Sequence, residues 1–214
     1  MSKFLNDWLT RRFMAAGGGG EPAGYTRLTR IKAEQSQYIT LATSSYIADP
    51  RFYVKAMRTG NTYQYGNMVI SHTQNNLWLV MRTYKGIMVD YKNSQTNTQV
   101  EPTIDQLFEM SYGITDTTYL YINNTPYEFT KGTKDTAGDL RLFCLASNTG
   151  NTYYKFYGWV YQVDIYNGNT PLFQLLPYLR NQDNVAGLYD SVTRTFFPSE
   201  SGTDFIAGEV YTNE

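Results

Sequence analysis

Three kinds of side chain in this sequence could carry out catalysis: strand carboxylates, a single histidine and a single cysteine. Acid–base hydrolysis of glycosides uses two carboxylates, which the alternation of a strand can place on one face. Asp164 has no carboxylate two residues before or after it. His72 ends a predicted strand, as structural histidines do, and Cys144 lies in an apolar stretch typical of a buried thiol. Since the chain also has no HExxH, GxSxG or P-loop motif, the sequence predicts that the protein is not an enzyme.

Tyrosines with neighbouring amides give a second kind of candidate chemistry, the binding of carbohydrate. Exposed aromatic rings stack on sugar faces, and asparagine side chains bond sugar hydroxyls. Tyr63 and Tyr65 lie in the segment GNTYQYG, and Tyr153 and Tyr154 lie in NTGNTYY. The alternative is that these tyrosines cover sheet faces or subunit contacts, since the chain has 20 tyrosines.

The first 16 residues carry an apolar stripe at helical spacing, made of Phe4, Leu5, Trp8, Leu9 and Phe13. The pattern predicts an amphipathic helix over 1–16, capped by Ser2 and followed by a glycine-rich linker over 17–23. A helix of this length is marginal alone in water, so the stripe needs a partner. The sequence favours an anchor that docks on another protein or bundles with identical copies, a trimer being one arrangement. Docking back on its own domain and binding a membrane surface are the alternatives.

Composition sets further bounds on the function. The chain has 214 residues and a net charge of −1, so it carries no basic field for nucleic acid. One cysteine allows no internal disulfide, and no apolar run is long enough to span a membrane. The N-terminus does not resemble a signal peptide, which predicts synthesis in a cytoplasm and argues against a secreted protein.

Period-2 alternation dominates after the linker and predicts many short strands. The predicted strands are 37–42, 51–58, 67–71, 77–82, 86–91, 106–112, 118–122, 127–130, 140–146, 157–166 and 172–176. The segment EPTIDQLFE is compatible with one helical turn, but a loop that enters a strand at Leu107 is favoured. One face of the strand 157–166 is expected to hold Trp159, Tyr161, Val163 and Ile165. These strands predict an all-β protein, an antiparallel jelly-roll β-sandwich over 24–214.

Two blocks stand at the ends of this predicted domain. The first, over 24–39, reads GYTRLTRIKAEQSQYI, and the second, over 184–208, reads NVAGLYDSVTRTFFPSESGTDFIAG. In the second block we expect Gly187 to permit a close approach or positive φ, Leu188 to point inward and Asp190 to accept turn amides. Phe196, Phe197 and Phe205 are expected to cap the edge of the core.

The pair of blocks resembles the start and end of the concanavalin A-like (laminin G-like) jelly-roll domain, found in proteins of gut bacteria and their phages. The resemblance covers about 24–208. Its carriers in this chain are Pro177, Arg180, Asp183, Gly187, Leu188, Tyr189, Asp190, Val192, Phe196, Phe197, Gly202, Thr203, Phe205 and Gly208.

The resemblance implies a virion structural protein of a phage that infects gut Bacteroides-type hosts, with the crAss-like phages as a candidate source. Head decoration, head fibre and tail component are all compatible with it. Such a protein would dock on other virion proteins through its N-terminal segment and display the sandwich on the particle surface. A host-attachment lectin and a bacterial surface glycan-binding module are the alternatives. No cofactor is expected, although the resemblance makes calcium a candidate ligand, with Asp135, Asp139 and Asp183 as scattered oxygen donors.

Overall fold

The computed structural model describes residues 21–34, 36–43, 47–60, 67–72, 77–82, 86–91, 94–113, 119–129, 139–146, 152–153 and 155–212. This part of the chain is all-β, with antiparallel pairing throughout. The predicted helix over 1–16 and most of its linker lie outside the described residues. In chain order the strands are β1 (Tyr25–Arg27), β2 (Ile31–Glu34), β3 (Ile39–Leu41), β4 (Pro50–Arg58), β5 (Asn67–His72), β6 (Leu77–Arg82), β7 (Gly86–Tyr91), β8 (Ser94–Asn97), β9 (Leu107–Tyr112), β10 (Tyr119–Ile122), β11 (Thr125–Glu128), β12 (Leu140–Leu142), β13 (Leu145–Ala146), β14 (Thr152–Tyr153), β15 (Tyr157–Asn167), β16 (Thr170–Arg180), β17 (Val185–Asp190), β18 (Thr195–Pro198) and β19 (Ile206–Ala207).

Two main sheets share one core. The larger sheet runs in the order β11-β10-β9-β4-β15-β16-β17-β18, with β1 paired to β16 and β2 paired to both β15 and β19. The smaller sheet has the order β3-β12-β5-β6-β7-β8. A single buried cluster joins the two, with Phe52, Val54 and Val163 from the larger sheet and Ile39, Val69 and Leu140 from the smaller one. Burying each such side chain stabilises the fold by about 1.5–3 kcal/mol. Because the two sheets pack on this one cluster, the described architecture is a β-sandwich.

Most predicted strands are confirmed, but two predicted alternations are wrong. In β15 a β-bulge between Val160 and Gln162 shifts the register, so Val160, Val163 and Ile165 enter the core while Trp159 faces the other way. The second error concerns 140–146, where the continuous strand is interrupted. Phe143 adopts a positive φ of 69°, and Phe143 and Cys144 are both buried although they are consecutive. β9 begins at Leu107 after a loop, as favoured from the sequence.

The first block contacts the end of the second block and residues just outside it. β1 pairs with the end of β16, Leu28 bridges to Val210, and β2 pairs with β19. Side chains extend the contact, since Gln37 bonds the carbonyl of Asp204, and Glu200 accepts bonds from the amide and hydroxyl of Thr40. The chain therefore closes the domain on its own beginning.

The second block closes the larger sheet mostly as predicted. Asp190 is fully buried and accepts bonds from the amides of Gln174, Val192 and Thr193 and from the Thr193 hydroxyl. Leu188 lies in the core, and Gly187 permits a close approach, since a Cβ there would lie 2.4 Å from the carbonyl oxygen of Phe197.

The three phenylalanines of the second block divide between the two sides of the sheet. Phe205 is buried in the core and Phe197 packs against it. Phe196 instead stacks with Tyr25, at 5.2 Å between ring centroids, and lies under the guanidinium of Arg180. The expectation that Phe196 caps the core edge is therefore wrong, because strand alternation places it on the opposite face from Phe197.

Candidate functional surfaces

The predicted binding residues lie mainly beyond what the structure describes. Phe4, Leu5, Trp8, Leu9 and Phe13 are outside the described residues, as are Tyr63, Tyr65 and Tyr154. Tyr153 is described only through its backbone, which pairs with Leu145 between β14 and β13. The predicted anchor and the two predicted glycan-binding loops therefore stay predictions.

A row of side chains crosses five strands on the face of the larger sheet that points away from the core, called the outer face below. Ile206 pairs with Lys32, Lys32 with Trp159, Trp159 with Met57, and Met57 with Leu107. We call these five residues the cross-strand row. Both of its ends are open to solvent, since Leu107 is 44% exposed and Ile206 is 43% exposed, while Met57 and Trp159 are half-buried.

The cation within this row lies against the aromatic rings. The ammonium of Lys32 is 5.2 Å from the ring centroid of Tyr157 and 5.9 Å from that of Trp159. Its stem therefore runs along the apolar row while its charge is held at one side. A 2.6 Å ion pair with Glu34 raises the pKa of Lys32, and Tyr157 and Asp105 contribute to the same shift.

Charged side chains lie on both sides of the cross-strand row. Exposed Glu34 and Asp105 lie on one side, close enough to Lys32 to act on its pKa. On the other side Arg30 stacks on Trp159 at 4.3 Å, and its guanidinium donates to the hydroxyl of Tyr161. The row thus consists of four apolar side chains and Lys32, with Glu34 and Asp105 on one side and Tyr161 and the Arg30–Glu209 ion pair on the other.

A buried polar cluster lies further along the same face, formed by Tyr53, Glu109, Gln162 and Asp164. Burial, followed by the nearby carboxylates of Glu109 and Asp164, raises the pKa of Tyr53 far above its usual value. The amide of Gln162 donates a 2.8 Å bond to Asp164, and the carboxylate of Glu109 also pairs with Lys55. Tyr53 and Asp164 are buried, so the cluster is a bonded network that organises the sheet face rather than an exposed pair of carboxylates.

The sequence pattern does not reveal this cluster, because alternation can pair carboxylates only within one strand. Glu109 comes from β9 and Asp164 from β15, and the strand between them supplies Tyr53. The sequence does contain one indication of the cluster, the polar Asp164 in a largely apolar strand. The side chains that Asp164 meets on neighbouring strands, however, depend on the order of the strands in the sheet. The cross-strand row was missed for the same reason.

The remaining reactive candidates have structural partners where they are described. Asp139 accepts the amide of Thr43, and Asp183 forms a two-bond ion pair with Arg180, while Asp135 is outside the described residues. Among the residues that are described, no three histidine, cysteine, aspartate or glutamate side chains meet to form a metal site. Burial raises the pKa of the Cys144 thiol to about 11. His72 is described only through its backbone, at the end of β5.

Comparison with known proteins assigns no family to this arrangement: no family model matches the chain, and no curated protein matches it either. Within the described residues there is also no helix with the length and hydropathy of a membrane span.

Proposed function

We propose that the protein is a non-enzymatic structural protein of a phage virion, which docks through residues 1–16 and displays a concanavalin A-like jelly roll. One observation carries the proposal: the two blocks that resemble this domain type pair with each other, β2 with β19 along the backbone and Gln37 with Asp204 through a side chain. The block pairing supports a domain that is complete from about residue 24. The apolar stripe of residues 4–13 precedes the closed domain in sequence and is available as an anchor.

In this proposal the anchor provides the affinity for the particle and the sandwich provides the exposed surface. Burying each large apolar side chain of the stripe in a groove of a capsid, fibre or tail protein stabilises the complex by about 1.5–3 kcal/mol. The glycine-rich linker separates docking from display. Repeated copies on one particle give avidity to any weak surface interaction.

Particle incorporation tests the anchor. Epitope-tagged full chain and the double variant Trp8→Ser/Leu9→Ser would be expressed during infection of the host, and copies per purified particle counted by quantitative mass spectrometry. We expect the variant to fall by about tenfold or more, since two buried apolar contacts are lost. The control Asn6→Ser/Thr10→Ser alters the polar side of the same segment and should be incorporated normally. Equal incorporation of both variants would show that the stripe is not the anchor.

A second candidate function is glycan binding, either as a host-attachment lectin or as a bacterial surface module. The observation that favours it is an aromatic pair on the outer face. Tyr119 and Tyr121 of β10 are half-buried, with ring centroids 6.3 Å apart, while Leu120 and Ile122 between and beyond them face the core. The half-exposed rings, with the exposed Asn123 directly after the strand, offer a stacking surface next to a hydrogen-bonding group.

A glycan array probed with multivalent protein tests this candidate and places the site. Loss of binding in Tyr119→Ala/Tyr121→Ala would assign it to the outer face, whereas loss in Tyr63→Ala/Tyr65→Ala or Tyr153→Ala/Tyr154→Ala would assign it to the predicted loops. Tyr211→Ala is the control, since that ring is exposed and stacks under Arg27 elsewhere on the molecule. Absence of binding by the multivalent wild-type protein removes the glycan-binding function.

A further inference from the structure

We propose that the cross-strand row is the docking surface for residues 4–13 of the same chain while the protein is not attached to a partner. The occupant is the apolar stripe Phe4, Leu5, Trp8, Leu9 and Phe13. The proposal goes beyond the virion role because it concerns the isolated protein, and it stands or falls without reference to any particle.

The dimensions of the two surfaces agree. Five neighbouring strands place Ile206 and Leu107 about 19 Å apart, at about 4.8 Å per strand. A helix over residues 4–13 would be about 14 Å long, at about 1.5 Å per residue. The helix is therefore slightly shorter than the row, and its large side chains can reach both ends.

The row has the chemistry that such a stripe requires. Leu107 and Ile206 are among the few large apolar side chains that are exposed in the described part of the chain. Met57 lies between Leu107 and Trp159, and a methionine adapts its shape to aromatic neighbours. Covering these side chains removes apolar surface from water on both partners, at about 25 cal/mol per Å².

Charge favours one side of the row. Residues 1–16 contain Lys3, Arg11 and Arg12 against the single acid Asp7. The exposed acids on that side are Asp105 and Glu34, and Glu34 already pairs with Lys32. A basic segment laid on the row therefore meets the carboxylate of Asp105, and it reaches Glu34 only in competition with Lys32. The gain from each exposed pair is small, about 0.2–1 kcal/mol, so charge orients the segment more than it holds it.

The chain can make this contact within one molecule. Phe13 and Tyr25 are joined by 11 intervening residues, four of them Gly17–Gly20, which can span about 40 Å when extended. Tyr25 and Lys32 are only seven residues apart, or about 25 Å at most. The linker is therefore long enough for the segment to dock on the row of the same copy.

Trypsin cleavage after Arg11 and Arg12 in the full chain tests the contact. The double variant Leu107→Ser/Ile206→Ser should be cleaved there at least about fivefold faster, since cleavage follows the population of the undocked segment. The control is Val192→Ser, which changes an equally exposed side chain, at 40%, in the turn after β17. Both sites are on the surface, and thermal unfolding confirms that each variant is folded.

The reciprocal experiment measures how accessible the row is to solvent. Peroxide oxidation of Met57, followed by mass spectrometry, should accelerate in Trp8→Ser/Leu9→Ser because its cover is lost. Met110 is fully buried and is the internal control in the same sample. An unchanged rate in either experiment overturns the proposal. Protection of Met57 or of the trypsin sites that disappears on dilution also overturns the proposal, if light scattering shows that the protein passes from oligomer to monomer. In that case a second copy covers the row.

Discussion

The side-chain amide of Gln37 donates a 2.9 Å hydrogen bond to the backbone carbonyl of Asp204, across 167 residues of sequence. The same side chain accepts the amide of Glu34 through its oxygen, and it is 3% exposed. One buried glutamine therefore ties the first block of the domain to the last. It satisfies a donor and an acceptor of the main chain at part-buried positions.

Replacing Gln37 by leucine should destabilise the domain by about 1–2 kcal/mol, because the part-buried amide of Glu34 and the part-buried carbonyl of Asp204 both lose their partner. Urea unfolding of the purified variant measures the loss. Gln106→Leu is the matched control, since Gln106 is exposed and should change the free energy of unfolding by less than about 0.5 kcal/mol. Equal stability of Gln37→Leu and wild type would mean that water replaces both bonds.

Asp190→Ala should be more damaging, with a loss of about 3 kcal/mol or more. The fully buried carboxylate accepts three backbone amides and one hydroxyl, so its removal leaves four part-buried donors without this acceptor. Thermal and urea unfolding check the prediction. Exposed Glu128→Ala provides the comparison, and a loss no larger than that of Glu128→Ala would contradict it.

Gly187→Ala should cost about 1–3 kcal/mol through overpacking. The added methyl group would lie 2.4 Å from the carbonyl oxygen of Phe197 and 2.7 Å from the ring of Phe196, so backbone must move. Gly24→Ala is the informative control. Gly24 has a φ of +84° but open space around it, so that variant tests backbone strain without a clash. We expect Gly187→Ala to unfold at the lower urea concentration, and the reverse order would disprove the close-approach role.

Alkaline pH should destabilise the protein through its buried acids, which include Tyr53 as well as Cys144 and Tyr112. Burial raises the pKa of Cys144 from 9.0 to about 11, and burial followed by the carboxylate of Asp49 raises that of Tyr112 from 10.0 to about 12. The unfolded chain loses these protons first, so the free energy of unfolding falls as pH rises above about 9 and continues to fall to about 12. The decline between pH 9 and 11 should become shallower in Cys144→Ala, and the decline between 10 and 12 in Tyr112→Phe. A pH profile of urea unfolding that is identical in all three proteins would contradict this.

Local pattern predicted many of the strands well. β4, β9 and β15 agree closely with their predicted bounds. In β4 the apolar residues alternate as the pattern predicts, and Phe52, Val54 and Ala56 are all buried. The turn role of Asp190 could also be predicted, since an aspartate side chain at the start of a turn accepts the backbone amide two residues further along the chain. Each of these features depends on neighbours in sequence.

The two wrong alternations, in 157–166 and in 140–146, share a physical origin, which is that a local irregularity in a strand changes the face of the residues after it. The bulge between Val160 and Gln162 separates Trp159 from Val163, which the pattern had placed together. The positive φ of Phe143 breaks the alternation before Cys144 in the same way. No side-chain type near these positions marks the irregularity.

The sequence by itself determined the all-β class, the position of most strands and the two blocks that bracket the domain, because alternation and turn residues act over a few positions. Only the tertiary structure decided that the blocks pair directly, through Gln37 and Asp204 among others. It also decided that Ile206, Lys32, Trp159, Met57 and Leu107 form one row. Their nearest neighbours come from strands far apart in sequence, and strand order and register arise from packing the whole core.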